Sequence, residues 1–401
     1  MNDETLTQPA GLDVQSSGAH LRRYLAVHRA AMRALAGWII TAPRYEDKYV
    51  FGYQLWDHAR HALALQHRLT ELRGGISDAS IEPRLETALG ELPHGRNTAE
   101  FTDGLHLGVV GALQAAYAAH LTVAHPAANA PEIILLNQIV PDLRRHQDWA
   151  RRRLEGCDAP DPSWREYLLA QLQGAFPLAA PPDAARPLPR PHAQQFRRPA
   201  TIVTDDRIRR GGLLAFEDRR RLSYTEEVAE QFKVFFNEMY AACILASVLY
   251  DAASSAVPLD FLCDVAHHCW DEVRHSEFGA IRLRELGLAP AQLDPILFEE
   301  AEGMPFLHRF CHLTLNLEVF FMPRKRPRKE QYEAAGDHSS RLFADIDWSD
   351  EINHVRYGKR WTEWFLKDDA RSVEDLKQEV ESHLMTLASY RHRKARALAP
   401  F

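Results

Sequence analysis

Apolar residues recur along this chain at three- and four-residue spacing over long stretches. That is the period of a helix buried on one face. The alternation that marks a half-buried strand is missing from these stretches. The pattern predicts helices over 20–41, 46–73, 99–123, 131–155, 223–253, 258–287, 306–322, 333–366 and 371–396. Pro258 and Gly287 punctuate the sixth, and the run Asp347-Trp348-Ser349-Asp350 is a candidate interruption of the eighth. The expected fold class is all-α. Two stretches break the period. Residues 1–18 are polar with Gly and Ser, the composition of a loose tail. Seven prolines fall between Pro177 and Pro199. Proline lacks a helix donor and favours extended backbone, so residues 175–200 read as a linker or surface strap. It separates a domain over 19–174 from one over 201–401.

Composition narrows the function classes. With 401 residues, 46% of them apolar, two or three domains with a sizeable core are affordable. A net charge of −7 argues against a nucleic-acid partner. Two local basic runs, Arg324-Lys325-Arg326-Pro327-Arg328-Lys329 and Arg391-His392-Arg393-Lys394, read as a solvated loop and a solvated helix end. The five cysteines are odd in number and form no Cys-x-x-Cys, which fits a reducing cytoplasm and excludes a disulfide scaffold. The first residues are acidic, unlike a secretory signal. No uncharged apolar run approaches ~20 residues, so no membrane span is expected.

The chemistry lies in a repeated pattern. Asp271-Glu272-Val273-Arg274-His275 and Asp350-Glu351-Ile352-Asn353-His354 each place a carboxylate three residues before an imidazole. On a helix, positions i and i+3 share a face. A further carboxylate precedes each pattern: Glu238 lies 34 residues before Glu272, and Glu318 lies 33 residues before Glu351. That gap accommodates the rest of one helix, a turn and most of an antiparallel partner. Both lone Glu stand in apolar runs, where an unpaired carboxylate is costly. A single Glu-x-x-His is usually a solvated pair. Two of them, each with an upstream Glu inside an apolar run, form the four-Glu, two-His set of a carboxylate-bridged metal pair in a four-helix bundle. Oxygen-rich donors with one imidazole per ion suit iron or manganese. Glu238, Glu272 and His275 would serve one ion, and Glu318, Glu351 and His354 the other, with Glu272 and Glu351 as bridges. Asp271 and Asp350 would each accept the free ring N–H of a histidine from the opposite helix pair, and Arg274 would tie such an Asp in place. His267 and His268 read as core or surface residues.

The chain also repeats itself. Trp56-Asp57-His58-Ala59-Arg60-His61 matches Trp270-Asp271-Glu272-Val273-Arg274-His275 at an offset of 214, and Asp142-Leu143-Arg144-Arg145-His146 resembles Asp350 to His354. His58 stands in the place of Glu272, Leu143 in that of Glu351 and His28 in that of Glu238. The first copy lacks the bridging carboxylates and should not hold the same centre. Its histidines, His28, His58, His61 and His146, read as packed or hydrogen-bonded.

The motif pair, over residues 238–354, resembles the ferritin-like superfamily of di-iron carboxylate proteins. The resemblance implies two tandem ferritin-like four-helix bundles, the N-terminal one degenerate. It implies a cytoplasmic non-haem oxidase or oxygenase with two Fe ions, a Mn or mixed Fe/Mn pair being the alternative. O2 would be the co-substrate, a small organic molecule the substrate, and an external electron donor the reductant, with Glu272 and Glu351 in catalytic positions. A homodimer is allowed. A ferroxidase, a Mn-catalase-like protein and a metal-stapled scaffold are the alternatives.

Overall fold

A computed structural model describes residues 9–72, 83–155, 160–172, 188–211 and 222–391. The described chain is mostly helical, so the fold is all-α. Its helices are α1 (Val14–Thr41), α2 (Tyr45–Glu71), α3 (Pro83–Glu91), α4 (Thr98–Thr102), α5 (Val110–Val123), α6 (Ala130–Glu155), α7 (Ser163–Leu172), α8 (Tyr224–Asn237), α9 (Met239–Ala252), α10 (Leu259–Glu285), α11 (Ile296–Glu302), α12 (Phe306–Cys311), α13 (Glu318–Ala334), α14 (His338–Leu366) and α15 (Val373–Thr386). Two π-helical turns, Asp103–Val109 and His312–Leu317, lead into α5 and α13. Among the described residues, strands are limited to a parallel bridge of two-residue segments, β1 (Arg209–Arg210) and β2 (Gln292–Leu293).

Contacts divide the chain into two units, Met1–Leu35 with Gln54–Arg197, and Ala36–Tyr53 with Arg198–Phe401. The second unit therefore takes the α1–α2 hairpin tip, which linear reading had assigned to the first domain. In that tip the buried Lys48 donates to the carbonyls of Ile39 (2.6 Å) and Ile40 (3.1 Å), closing the C-terminal end of α1.

Within the second unit, α10 packs on α8, α9 and α14, and α14 packs along α13. Gly279 permits the close approach of α10 to α8, because a Cβ there would lie 2.1 Å from Phe236 N. A capping box of Ser223 and Glu226 starts α8. The stretch Tyr224–Ala252 is long and apolar enough to span a membrane, but 78% of its most apolar 18-residue window is buried inside the protein, where its apolar residues form core.

Several boundaries differ from the periodicity. Helix α1 begins at Val14, inside the stretch read as tail. The helix expected over 223–253 breaks at Glu238, and the one expected over 306–322 is divided by the π turn. Helix α14 runs through residues 347–350 without interruption. The basic run from Arg324 is not a solvated loop: α13 continues through Pro323 and Pro327 to Ala334 and buries Lys325. Packing along α14 and the ion pairs of Lys325 offset the helix bonds that the two prolines cannot make. The short helices α3, α7 and α11 lack a period long enough to read.

In the first unit the described part of the Pro-rich stretch is extended and tied down. Arg190 donates to Glu91 Oε2 at 2.7 Å and to the carbonyls of His192 and Gln194, and the His192 ring stacks on Trp164. Residues 177–187 of that stretch, residues 1–8 of the expected tail and the basic residues 392–394 lie outside the described residues.

Candidate metal centre

Helix α10 presents Glu272 and His275 on its buried face, and α14 presents Glu351 and His354 on its own. Glu238 stands at the break between α8 and α9, and Glu318 directly follows a π turn. Such breaks shift the register of a helix and are frequent at functional sites. All six residues belong to three overlapping groups of potential ligands: His268, Glu272, Glu318 and His354; Glu238, His275 and Asp347; and Glu272, His275 and Glu351. Within each group, one donor atom per residue lies within 4.8 Å of the others.

Both histidines turn Nδ1 toward the cluster and Nε2 away from it. His275 Nδ1 is 3.6 Å from Glu238, 3.7 Å from Glu272 and 3.7 Å from Asp347. His354 Nδ1 is 3.4 Å from Glu272 and 3.8 Å from Glu318. Behind them the pairing is crossed. His354 Nε2 lies 3.2 Å from Asp271 on α10, and His275 Nε2 lies 3.2 Å from Asp350 on α14. Arg274 Nη1 reaches both carboxylates, at 2.5 Å and 3.2 Å, and its guanidinium rests over the Trp270 ring. This lattice fixes ring orientation and assigns a proton to each Nε2, leaving each Nδ1 lone pair available to an ion.

Three further residues enter the cluster. His268, read from sequence as core or surface, is fully buried, with Nε2 2.7 Å from Glu318 and 3.5 Å from Glu272. Asp347 completes the Glu238–His275 group. Lys325 donates to Asp347 at 2.7 Å and to Glu351 at 2.8 Å. A signal for the first two existed. His268 lies four residues before Glu272 and seven before His275; Asp347 has the same spacing to Glu351 and His354. Each extends its ligand face by one turn. Lys325 follows Glu318 by seven residues and was hidden by its basic, Pro-containing neighbourhood.

The cluster's polar atoms face a common space more than one another. Among the described residues, Glu238 Oε2, both oxygens of Glu318, Asp347 Oδ2, Glu351 Oε2, both nitrogens of His268, His275 Nδ1 and His354 Nδ1 are buried without a hydrogen bond. Buried polar atoms are rarely left so. Five carboxylates (Glu238, Glu272, Glu318, Asp347, Glu351) against one ammonium leave a formal −4 when all are ionised, the charge that two divalent cations cancel.

Protons offset part of that charge otherwise. Burial, then Asp347, push the Glu238 carboxyl well above the usual range. Burial lifts Glu351 to about 7 against the pull of Lys325. For Glu272, burial is outweighed by the approach of the His268, His275 and His354 rings, which hold it well below the usual range. Desolvation of His275 and His354 is likewise outweighed, chiefly by Asp350 and Asp271, and both rings are raised well above theirs. The Tyr240 phenol is held protonated by burial and then by the charge of Glu238, Glu272, Glu351 and Glu318. Cation binding therefore displaces protons.

No family model matches this chain, and no curated protein or solved structure matches it at a significant level.

Proposed function

We propose that this protein is a ferritin-like, non-haem di-iron oxidase or oxygenase acting on a small organic substrate. In this reading the chain is a tandem of two four-helix bundles, and the second holds the ion pair. One observation carries it. Glu272 belongs both to the group with His268, Glu318 and His354 and to the group with His275 and Glu351, so one carboxylate serves two adjoining sites. A shared carboxylate joins two ions into one redox unit. The donor set, five carboxylates and three imidazoles without a thiolate, suits iron or manganese.

When bound, the metal pair supplies the electrons and Lewis acidity for dioxygen chemistry. The chain's residues do the rest. Glu272 and Glu351 hold the two positions together, and His275 and His354 keep their Nδ1 lone pairs directed by the crossed Asp350 and Asp271 contacts. Lys325 Nζ holds a proton beside Asp347 and Glu351, where it neutralises carboxylate charge. An external donor would restore the reduced state between turnovers.

Metal analysis of protein expressed with iron, followed by dioxygen addition to the anaerobic Fe(II)-loaded form, tests the proposal. Two irons per chain and a transient visible absorption that decays faster with an added organic substrate support it. Iron uptake far beyond two per chain points instead to iron handling. Two ions without any reaction with dioxygen point to a structural role.

A further inference from the structure

The first unit carries a second polar cluster that the proposed di-iron chemistry does not use. His28 on α1, His58 and His61 on α2, His106 in the π turn and His146 on α6 are all buried. His28, His58 and His61 each offer a nitrogen, the three lying within 4.8 Å of one another. The supporting lattice of the second unit recurs around them. His61 Nε2 lies 2.9 Å from Asp142, His146 Nε2 lies 2.9 Å from Asp57, and Arg60 and Arg145 contact both carboxylates.

The crossed Asp–His contacts thus persist where the bridging carboxylates are gone. With Nε2 of His61 and His146 committed to carboxylates, their Nδ1 atoms are bare acceptors, buried without a partner. Both nitrogens of His106 are also buried without a partner, one of them an acceptor in the neutral ring. His28 and His58 approach Nδ1 to Nδ1 at 2.8 Å, with His28 Nε2 2.9 Å from Tyr117 Oη. Whichever ring carries the shared proton, His58 Nε2 has no partner. Burial drives His28, His58 and His106 well below the usual histidine range, so these rings are neutral and their lone pairs are available. A packed core would not maintain this many buried, partnerless ring nitrogens together with the carboxylates that orient them.

We propose that His28, His58 and His61 form a second, mononuclear site for a nitrogen-preferring divalent ion, zinc or copper. The donors are imidazoles where the other unit uses carboxylates, and that replacement changes the preferred ion from iron or manganese to a later metal. With His28 Nδ1 as the ligand atom, the ring proton sits on Nε2 and donates to Tyr117 Oη. His146 Nδ1 and His106 stand ready as further donors. The inference does not depend on the di-iron reading, since the two units use separate residues.

The test loads the full-length protein with iron and then titrates zinc against a chromophoric chelator. The expected result is one zinc per chain beyond the iron. In His58→Ala and in His61→Ala, zinc affinity should fall by more than the roughly 10–100-fold that loss of a supporting group costs, with iron content unchanged. Should either variant fold poorly, Cu(II) bound to the wild-type chain gives an independent readout, with three or more imidazole nitrogens expected in its EPR hyperfine pattern. No zinc beyond the iron, wild-type zinc affinity in either folded variant, or a copper signal with fewer than three nitrogens would overturn the proposal.

Discussion

The Lys325 ammonium lies 2.8 Å from Glu351 Oε1, with both side chains buried. Its second contact, to Asp347 at 2.7 Å, places one cation between two carboxylates of the candidate centre. The charge on Asp347 and Glu351, followed by that on Glu238, raises this lysine well above its ordinary range despite burial, so it stays charged. Replacing it leaves the buried Asp347 and Glu351 carboxylates without their cation.

Lys325→Met should destabilise the metal-free protein by up to about 3–5 kcal/mol, the cost of breaking a buried ion pair from one side. Bound Mn(II) should recover much of that loss. Urea unfolding with and without Mn(II) measures both, and an identical loss in the two conditions would separate Lys325 from the charge of the centre.

Glu272→Ala and Glu351→Ala should abolish paired metal binding, since each removes a carboxylate from the linked groups. His58→Ala belongs to the other unit and should leave two irons per chain. Metal content of the three purified variants decides this. Equal iron loss in all three would place the pair elsewhere.

Asp271→Ala and Asp350→Ala remove only what orients His354 and His275. Each should weaken iron binding by about 10–100-fold while leaving the ligands in place. The wild-type Asp271 carboxyl is held below its usual range, with burial outweighed by its bond from His354, so it serves as an anion there. Anaerobic Fe(II) titration reads the affinity; an unchanged value would reduce the crossed contacts to packing.

Gly279→Ala tests the helix contact beneath the site. The added Cβ would meet backbone atoms of Phe236 and Phe232, which cannot move as a side-chain end can. A loss of about 1–3 kcal/mol is expected from overpacking, with lowered metal occupancy because α8 leads directly to Glu238. Thermal melting and metal analysis on one preparation check both; wild-type values in each would show that α8 and α10 are farther apart.

His20 and His120 give a pH dependence that belongs to the first unit. Burial lowers both to about 4, and His120 Nδ1 lies 3.3 Å from Tyr24 Oη. Between the usual histidine value near 6.5 and about 4, the unfolded chain binds more protons than the folded one. Their contribution to stability is complete above pH 6.5, declines as pH falls and levels off below about 4. The shift of the urea midpoint between pH 7.5 and pH 5 should be smaller in His20→Gln/His120→Gln than in wild type. Equal shifts would mean that these rings titrate normally.

How much of this was legible in the chain follows from which forces act locally. Glu272 with His275 and Glu351 with His354 could be read from spacing, because three residues on a helix are always neighbours on one face. The helix period also shows in the long segments, α1, α2, α6 and α10, whose apolar stripes repeat over many turns. The register shift that precedes Glu318 carries no such mark. Neither does the continuation of α13 through Pro323 and Pro327, which depends on packing against α14.

Asp347 and His268 sit on the ligand faces yet looked ordinary, since a carboxylate or imidazole on a helix is usually solvated. Lys325 looked more ordinary still, one cation in a basic run. By itself the sequence determined the all-α class, the Glu-x-x-His pairs and the repeat that turned carboxylates into imidazoles. Tertiary packing alone decided that α13 buries Lys325 against Asp347 and Glu351, and that His58 Nε2 and His61 Nδ1 are buried with no hydrogen-bond partner. Periodicity sets which side of a helix a residue occupies, whereas the distance from that side to another helix depends on how the two pack.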